Sequence, residues 1–160
     1  MKRTLSLTLA AALALGAFGG GLAVGASTQL AAVTKKDLLD AMHGEAFAYA
    51  KYMAYAKQAR EHGNVKLATL YEHTANIELN AHFATHAQEY GLVKSDAANL
   101  QDSIAGENYE TTTMYPGFAK DAQQAGNTHA AAVFRSIGAD EKNHRDRFRA
   151  ALTELQKTGK

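Results

Sequence analysis

Six side chains in this sequence are of types that can bind metal ions, and four of them form two pairs at helical spacing. Glu107 and Glu110 are one helical turn apart, and His144 follows Glu141 by three residues. Residues three or four apart share one face of a helix, so each pair presents two donor groups in one direction. Carboxylate and imidazole groups together suit divalent transition metals. The candidate metal ligands are Glu45, Glu78, Glu107, Glu110, Glu141 and His144.

Several of these glutamates would lie on apolar faces if their segments are helical. Glu107, for example, shares a face with Met114 and other apolar residues. An unpaired carboxylate in such a place is unstable by several kcal/mol and tends to take up a proton. Two bound cations would remove that cost. The simpler alternatives are protonated core glutamates, a solvated Glu110, and an ion pair between Glu141 and Arg145.

The composition excludes several other kinds of site. The chain has 160 residues, no cysteine, no tryptophan and one proline, with a formal net charge of +1. Without cysteine there is no disulfide, thiolate nucleophile, cysteine-bound zinc or iron–sulfur cluster. The near-neutral charge provides no electrostatic basis for binding nucleic acid. Length and composition fit one helical domain that folds without disulfides.

The N-terminal segment has the layout of a secretory signal. Lys2 and Arg3 precede a long uncharged apolar stretch, and small residues end at Ala26. This pattern predicts export with cleavage after Ala26, and therefore a periplasmic or other extracytoplasmic location without membrane attachment. An uncleaved membrane anchor is the alternative, because the stretch has about the length of a membrane span. Residues 27–33 would then form a linker, and residues 34–157 the folded domain.

The remainder of the chain predicts four long helices with short connections. Glycines stand where helices would end, and small polar residues stand where they would begin. Four helices connected in this way favour an all-α bundle. The predicted helices run from a cap at Thr34 to about residue 62, from about 65 to 90, from a cap at Ser95 or Asp96 to before residue 126, and from after residue 127 into the polar tail.

The two halves of the chain resemble each other. A shift of 63 positions places residues 55–64 on residues 118–127 with five identities. The same comparison pairs glutamates between the halves, so the sequence predicts a duplicated helical hairpin with two matched glutamates in each copy. The matched residues are Glu78 with Glu141 at the same shift, and Glu45 with Glu107 after one residue of slippage.

These motifs, in this order, resemble those of the rubrerythrins, a branch of the ferritin-like di-iron proteins. The resemblance extends from Asp37 to about Leu152 and includes the glycine–glutamate pairs, the Met114-Tyr115-Pro116 run and the Glu-x-x-His of the last helix. It implies a ferritin-like four-helix bundle in which the six ligands named above bind two iron ions. Manganese or a mixed metal pair also suits such a carboxylate-rich site.

The resemblance also implies roles for two tyrosines and the proline. Tyr52 and Tyr115 are expected at the catalytic centre, where their hydroxyls would hydrogen-bond the ligand carboxylates and hold the ligand geometry. Both are also compatible with ordinary core tyrosines whose hydroxyls have a buried partner. Pro116 is expected to mark a helix irregularity just past the site, because proline removes a backbone hydrogen bond.

Two features depart from the rubrerythrin pattern. The family usually has a second Glu-x-x-His, but here the expected histidine position is Ala81, and His82 follows it. On an α-helix His82 lies about 40° from Glu78 and Ala81 about 60° to the other side, so the sequence leaves open whether His82 binds metal. The chain also lacks the cysteines of a rubredoxin domain, so any electrons must come from an external donor.

The connection between helices two and three is short for a ferritin-like bundle. Helix two would end about 18 Å beyond Glu78, and helix three would begin about 15 Å before Glu107, at about 1.5 Å per residue. Residues 91–96 reach at most about 24 Å, less than the roughly 33 Å required. Helices that end early, or a simple up-down-up-down bundle, would remove the conflict. We predict instead a hairpin-swapped homodimer in which two chains share each site.

Three functions are compatible with these residues. The first is reduction of hydrogen peroxide by a rubrerythrin-like di-iron protein in oxidative-stress defence, with electrons from an external donor. The second is ferroxidase activity or iron binding, in which dioxygen or peroxide oxidises Fe(II) without catalytic turnover of peroxide. The third is a metal-free helical interaction domain. Glu110 favours the first, because it adds a carboxylate to the four glutamates and two histidines of plain dinuclear bundle sites.

Overall fold

The computed structural model describes residues 29–159, and this part of the chain is helical, with short turns and no strand. The predicted signal peptide, residues 1–26, lies outside the described residues, as do residues 27–28 of the predicted linker. Between residues 29 and 159 no helix is both long and apolar enough to cross a membrane. The prediction of an all-α protein is confirmed.

The helices form two hairpins. Hairpin 1 consists of α1 (Ala32–Glu61), which packs along α2 (Val65–Ile77), the π-helical segment π1 (Glu78–Phe83) and α3 (Ala84–Tyr90). Hairpin 2 consists of α4 (Asp96–Tyr109), the π-helical segment π2 (Glu110–Met114) and α5 (Tyr115–Gln124), all packed along α6 (Thr128–Thr158). The predicted cap at Thr34 is wrong. Helix α1 already begins at Ala32, since neither Ala32 nor Val33 is a residue that breaks a helix.

Matching glycines form the turn of each hairpin. Gly63 and Gly126 have φ angles of 73° and 78°, a left-handed conformation that glycine adopts without steric cost. An asparagine follows each glycine, and the backbone angles of Asn64 and Asn127 are almost the same. The Asn64 side chain also accepts a hydrogen bond from Leu67 N over 3.2 Å, which caps α2. The duplication predicted from the sequence is therefore present in the backbone of the turns.

The packing inside the hairpins repeats as well. Buried alanines let the paired helices approach closely, and three aromatic rings pack near them in each hairpin. The ring centroids lie 6.1 and 5.4 Å apart in hairpin 1, and 6.3 and 5.5 Å apart in hairpin 2. The corresponding residues are Ala56 and Ala119, Ala68 and Ala131, Tyr52 and Tyr115, Tyr55 and Phe118, and Tyr71 and Phe134.

The two hairpins do not pack against each other within one chain. Across residues 29–159, no helix of hairpin 1 packs on a helix of hairpin 2. The buried hydrophobic residues of this region are Met42 and six alanines, so the inner faces of both hairpins lack the cover that a closed bundle provides. The predicted four long helices in two duplicated hairpins are confirmed, with the second and third helices each interrupted by a π-helical segment. One copy of the chain, however, does not close the bundle by itself.

The linker between the hairpins is short and held by hydrogen bonds. Helices α3 and α4 extend as far as predicted, so the helices do not end early. The Asn99 side chain accepts a hydrogen bond from Lys94 N over 2.9 Å and donates one to Lys94 O over 3.1 Å. Ser95 caps α4, as predicted, because its Oγ accepts a hydrogen bond from Ala98 N. These bonds fix the last residues of the linker to the first turn of α4.

Candidate metal centre

Hairpin 1 brings two glutamates and a histidine together. Glu45 lies in the middle of α1, while Glu78 and His82 lie in π1. His82 Nδ1 is 2.7 Å from Glu78 Oε2 and 3.8 Å from Glu45 Oε1. Donor atoms of all three residues lie within 4.8 Å of one another, close enough to share one cation. His82, which the sequence left open, therefore joins two of the predicted ligands.

Hairpin 2 repeats this arrangement with three residues predicted from the sequence. Glu107 lies in α4, and Glu141 and His144 lie in α6. His144 Nδ1 is 2.7 Å from Glu141 Oε2 and 4.0 Å from Glu107 Oε2, and the three donor atoms again lie within 4.8 Å of one another. The alternative ion pair between Glu141 and Arg145 is not formed, because Arg145 donates to Asp146 Oδ1 and Asn108 Oδ1 instead.

Glu107 lies where a carboxylate requires a positive partner. Its Oε2 atom is buried and has no hydrogen-bond partner in the described part of the chain. Burial is the main cause of its raised pKa. The Glu141 and Glu110 carboxylates raise the pKa further, while His144 lowers it. A buried carboxylate without a partner costs free energy that a bound cation offsets. Glu107, Glu141 and His144 form the half-site of hairpin 2, as Glu45, Glu78 and His82 form that of hairpin 1. The donor set of the hairpin 2 half-site therefore fits a metal ion.

Glu110 lies beside this half-site rather than among its three converging donors. It is the first residue of π2, and π-helical turns occur frequently at functional sites. Its carboxylate raises the pKa values of both Glu107 and Tyr115, so it acts on the same region. Pro116 follows closely, in the first turn of α5. The helix irregularity predicted at this proline is confirmed as π2.

Tyr115 is held close to the carboxylates by its contact with α6. Burial is the main cause of its raised pKa, and the carboxylates of Glu110, Glu141 and Glu107 raise it further. The hydroxyl therefore stays protonated at neutral pH and remains available as a hydrogen-bond donor. A Cβ atom built on Gly138 would lie 3.0 Å from Tyr115 Cβ, so the glycine allows this close approach.

Tyr52 holds the corresponding position in hairpin 1. Its ring centroid lies 6.1 Å from that of Tyr71, and the Lys51 ammonium lies 5.2 Å from the Tyr52 centroid. Between residues 29 and 159, neither Tyr52 nor Tyr115 donates a hydrogen bond to a glutamate of its own chain. Their roles at the catalytic centre remain predictions.

Neither half-site alone provides the ligands of a dinuclear centre. Each offers two carboxylates and one imidazole, whereas dinuclear bundle sites combine four glutamates and two histidines from four helices. The two hairpins together provide this set, with Glu110 as an additional carboxylate. The fold and the site thus define a class of helical-hairpin proteins in which each hairpin carries one carboxylate-rich candidate metal site.

Comparison with known proteins places the chain within a family of this class. The family model described as Rubrerythrin matches residues 76–152. Nigerythrin from Nitratidesulfovibrio vulgaris is 38% identical over 135 residues, which cover 76% of this chain and 67% of that protein. A rubrerythrin from Porphyromonas gingivalis is 33% identical over 140 residues, covering 77% of this chain and 68% of that protein. The chain belongs to the rubrerythrin family, which confirms the resemblance inferred from its motifs.

Among solved structures, fully reduced, all-ferrous nigerythrin is 34% identical to this chain. The match covers 84% of this chain and 72% of the nigerythrin chain, with a TM-score of 0.39.

Proposed function

We propose that this protein is a di-iron protein that reduces hydrogen peroxide to water in oxidative-stress defence. The observation that supports this most is the combined set of four glutamates and two histidines, with Glu110 beside it. Reduction of one H2O2 to two H2O consumes two electrons and two protons. An iron pair, when bound, supplies two electrons and Lewis acidity. Membership of the rubrerythrin family supports the same chemistry.

The side chains of the chain itself would hold the metal pair and position a proton donor. Four converging carboxylates balance the charge of two divalent cations, and the two imidazoles add neutral donors. Tyr115 keeps its proton at neutral pH, so its hydroxyl can hydrogen-bond a ligand carboxylate or a peroxide oxygen. Tyr52 would do the same from hairpin 1, since it is the counterpart of Tyr115 in the repeat.

The electrons would come from a separate donor. The 160 residues contain no cysteine, and a rubredoxin-type centre requires cysteine ligands. The N-terminal pattern supports export, with residues 1–26 as a cleaved signal, residues 27–33 as a linker and residues 34–157 as the exported domain. The donor would then be extracytoplasmic as well.

We also propose that two copies form a hairpin-swapped dimer. Three observations support this: the hairpins do not pack within one chain, their inner faces are only partly covered, and each carries half of a ligand set. In such a dimer hairpin 1 of one copy pairs with hairpin 2 of the other, which produces two sites. Glu45 and Glu78 would then meet Glu107 and Glu141 of the second copy.

Anaerobic loading with Fe(II), followed by titration with hydrogen peroxide, tests the proposed reaction. We expect about two irons per site, oxidation by one equivalent of peroxide, and repeated turnover when a reductant is supplied. Glu110→Gln is the matched variant, because it removes the additional carboxylate and leaves the four other glutamates and the two histidines. We expect it to retain both irons and to turn over more slowly.

A second candidate function is ferroxidase activity or iron binding without catalytic turnover of peroxide. The absence of cysteine from these 160 residues favours it, because they provide no ligands for a rubredoxin-type electron-entry centre. The same titration separates the two functions. Iron that is oxidised once, stays bound as Fe(III) and consumes no further peroxide in the presence of reductant would establish the second function.

A further inference from the structure

We propose that His82 is a metal ligand, and that π1 turns it into the position that His144 occupies in hairpin 2. The proposal rests on the metal pair proposed above. It names the third metal ligand that hairpin 1 contributes, beside Glu45 and Glu78. Three residues after Glu78, where the family pattern has a histidine, this chain has Ala81. Which residue faces the glutamate is decided by the backbone, not by sequence spacing alone.

The π-helical backbone changes the spacing at which two residues share a face. Its hydrogen bonds join residues five positions apart instead of four, so a π-turn holds about one more residue than an α-turn. Residue i+4 in a π-turn therefore points where residue i+3 points in an α-turn. Glu78 and His82 lie in π1, whereas Glu141 and His144 lie in the regular helix α6. Pairs with different spacing thus present their donors in the same way.

The distances around the two histidines agree. The distance from the histidine Nδ1 to Oε2 of the glutamate on the same helix is 2.7 Å in both hairpins. To the glutamate of the neighbouring helix it is 3.8 Å in hairpin 1 and 4.0 Å in hairpin 2. The histidine side chains are also similarly exposed, at 53% and 50%. An ordinary surface pair on one helix would require no second glutamate across the helix interface.

If His82 is the counterpart of His144, the internal repeat has one extra residue in hairpin 1 at π1. Glu78 and Glu141 correspond at a shift of 63 positions, but His82 and His144 correspond at a shift of 62. Hairpin 1 therefore contains one residue more than hairpin 2 in this interval, and π1 is the segment that accommodates it. A π-turn holds one residue more than an α-turn, so π1 lets His82 take the place that the spacing gives to Ala81.

The second π-helical segment, π2, also lies where one hairpin has an extra residue, this time in hairpin 2. Glu45 and Glu107 correspond at a shift of 62, whereas Tyr52 and Tyr115 correspond at a shift of 63. The extra residue now belongs to hairpin 2, and π2 lies in that interval. Both changes of register in the repeat therefore coincide with a π-helical segment.

Proton NMR of the Co(II)-loaded protein tests the assignment of His82. An imidazole bound to paramagnetic Co(II) carries one ring N–H proton whose signal is strongly shifted and disappears in D2O. We expect two such signals per site in the wild type, one in His82→Ala and one in His144→Ala. His73→Ala is the matched control, because His73 is an exposed histidine of α2 outside both half-sites, and both signals should remain.

Deletion of Ala81 tests the role of π1. Removal of one residue from a regular helix rotates everything after it by about 100°. Here the deletion should convert π1 into an α-turn with Glu-x-x-His spacing, so both shifted signals and both Co(II) ions should remain. Deletion of Asn143 from α6 is the matched control. It should abolish the signal of His144, because α6 has no extra residue to lose.

The outcomes separate this proposal from the proposed reaction. One shifted signal in the wild type, or two in His82→Ala, would overturn the assignment of His82. Two signals without peroxide turnover would support His82 and reject the peroxidase function, and turnover with one signal would do the reverse. No Co(II) binding in the wild type would overturn both. We also expect His82→Ala to weaken binding of one Co(II) ion by more than about 100-fold, the upper limit for loss of an outer-shell partner.

Discussion

Mixing two inactive variants would show whether each metal site is shared between two chains. The first variant, Glu45→Ala/Glu78→Ala, disables hairpin 1, and the second, Glu107→Ala/Glu141→Ala, disables hairpin 2. In a hairpin-swapped dimer each site combines hairpin 1 of one copy with hairpin 2 of the other. A mixed dimer would therefore contain one site with all its ligands and one site without any of these four glutamates.

The expected recovery follows from random pairing. When equal amounts of the two variants are unfolded together and refolded, about half of the dimers are mixed, and one of the two sites in each mixed dimer is intact. About one quarter of the wild-type metal pairs should therefore return. Each variant refolded alone keeps one intact group of three donors and should bind no metal pair. Removing carboxylates from partly buried, like-charged clusters also relieves repulsion, so the variants are expected to fold.

The assay measures metal retained after anaerobic Co(II) loading and desalting, together with dimer composition by native mass spectrometry. Variants mixed without prior unfolding are the control, because exchange of hairpins requires the dimers to open. If mixed dimers form and no metal pairs return, the sites are built within single chains. That result would refute the shared site and the structural reasoning behind it.

Other parts of the structure lead to predictions about assembly and stability. Six Gly or Ser residues inserted into the linker between α3 and α4 would raise its reach from about 24 Å to about 45 Å, above the roughly 33 Å needed for closure within one chain. Light scattering should then detect a monomer that keeps its metal ions, and a persistent dimer would contradict the role of linker length. Gly138→Ala should destabilise the protein by about 1–3 kcal/mol in urea unfolding, because the added Cβ would lie 3.0 Å from Tyr115 Cβ. Gly44→Ala is its control and should be neutral or stabilising, since its Cβ would meet nothing within 4 Å. Glu72→Gln should lower the melting temperature at neutral pH, because a hydrogen bond from Arg60 lowers the pKa of Glu72. This stabilisation is present above the unfolded-state pKa and is lost as the pH falls through the folded-state pKa, so the melting temperatures should converge in acid. A difference that does not change with pH would contradict it.

The ligands and the hairpins could be predicted from the amino-acid sequence because their signals are local. Helical periodicity placed Glu107 among apolar residues, and the spacing of Glu141 and His144 is that of one α-helical turn. Glycines at the ends of the predicted helices identified the turns, and Gly63 and Gly126 do adopt left-handed backbone angles.

The face occupied by His82 could not be predicted, because it depends on backbone hydrogen bonds rather than on residue type. No side chain in residues 78–83 indicates a π-turn. On a regular α-helix, Ala81 and His82 would both point away from the direction of Glu78, on opposite sides of it. The one-residue slippage between Glu45 and Glu107 was visible in the sequence. Its link to a π-helical segment became apparent only in the structure.

The separation of the two hairpins could also be recognised only in the tertiary structure. The short reach of residues 91–96 limited closure within one chain only if the flanking helices kept their full length, which they do. Whether two hairpins then meet depends on surfaces far apart in the sequence. No local sequence pattern predicts whether such surfaces pack together. The sequence by itself determined which groups can bind metal. The tertiary structure decided which of them face one another, because helix register and packing between helices are properties of the whole folded chain.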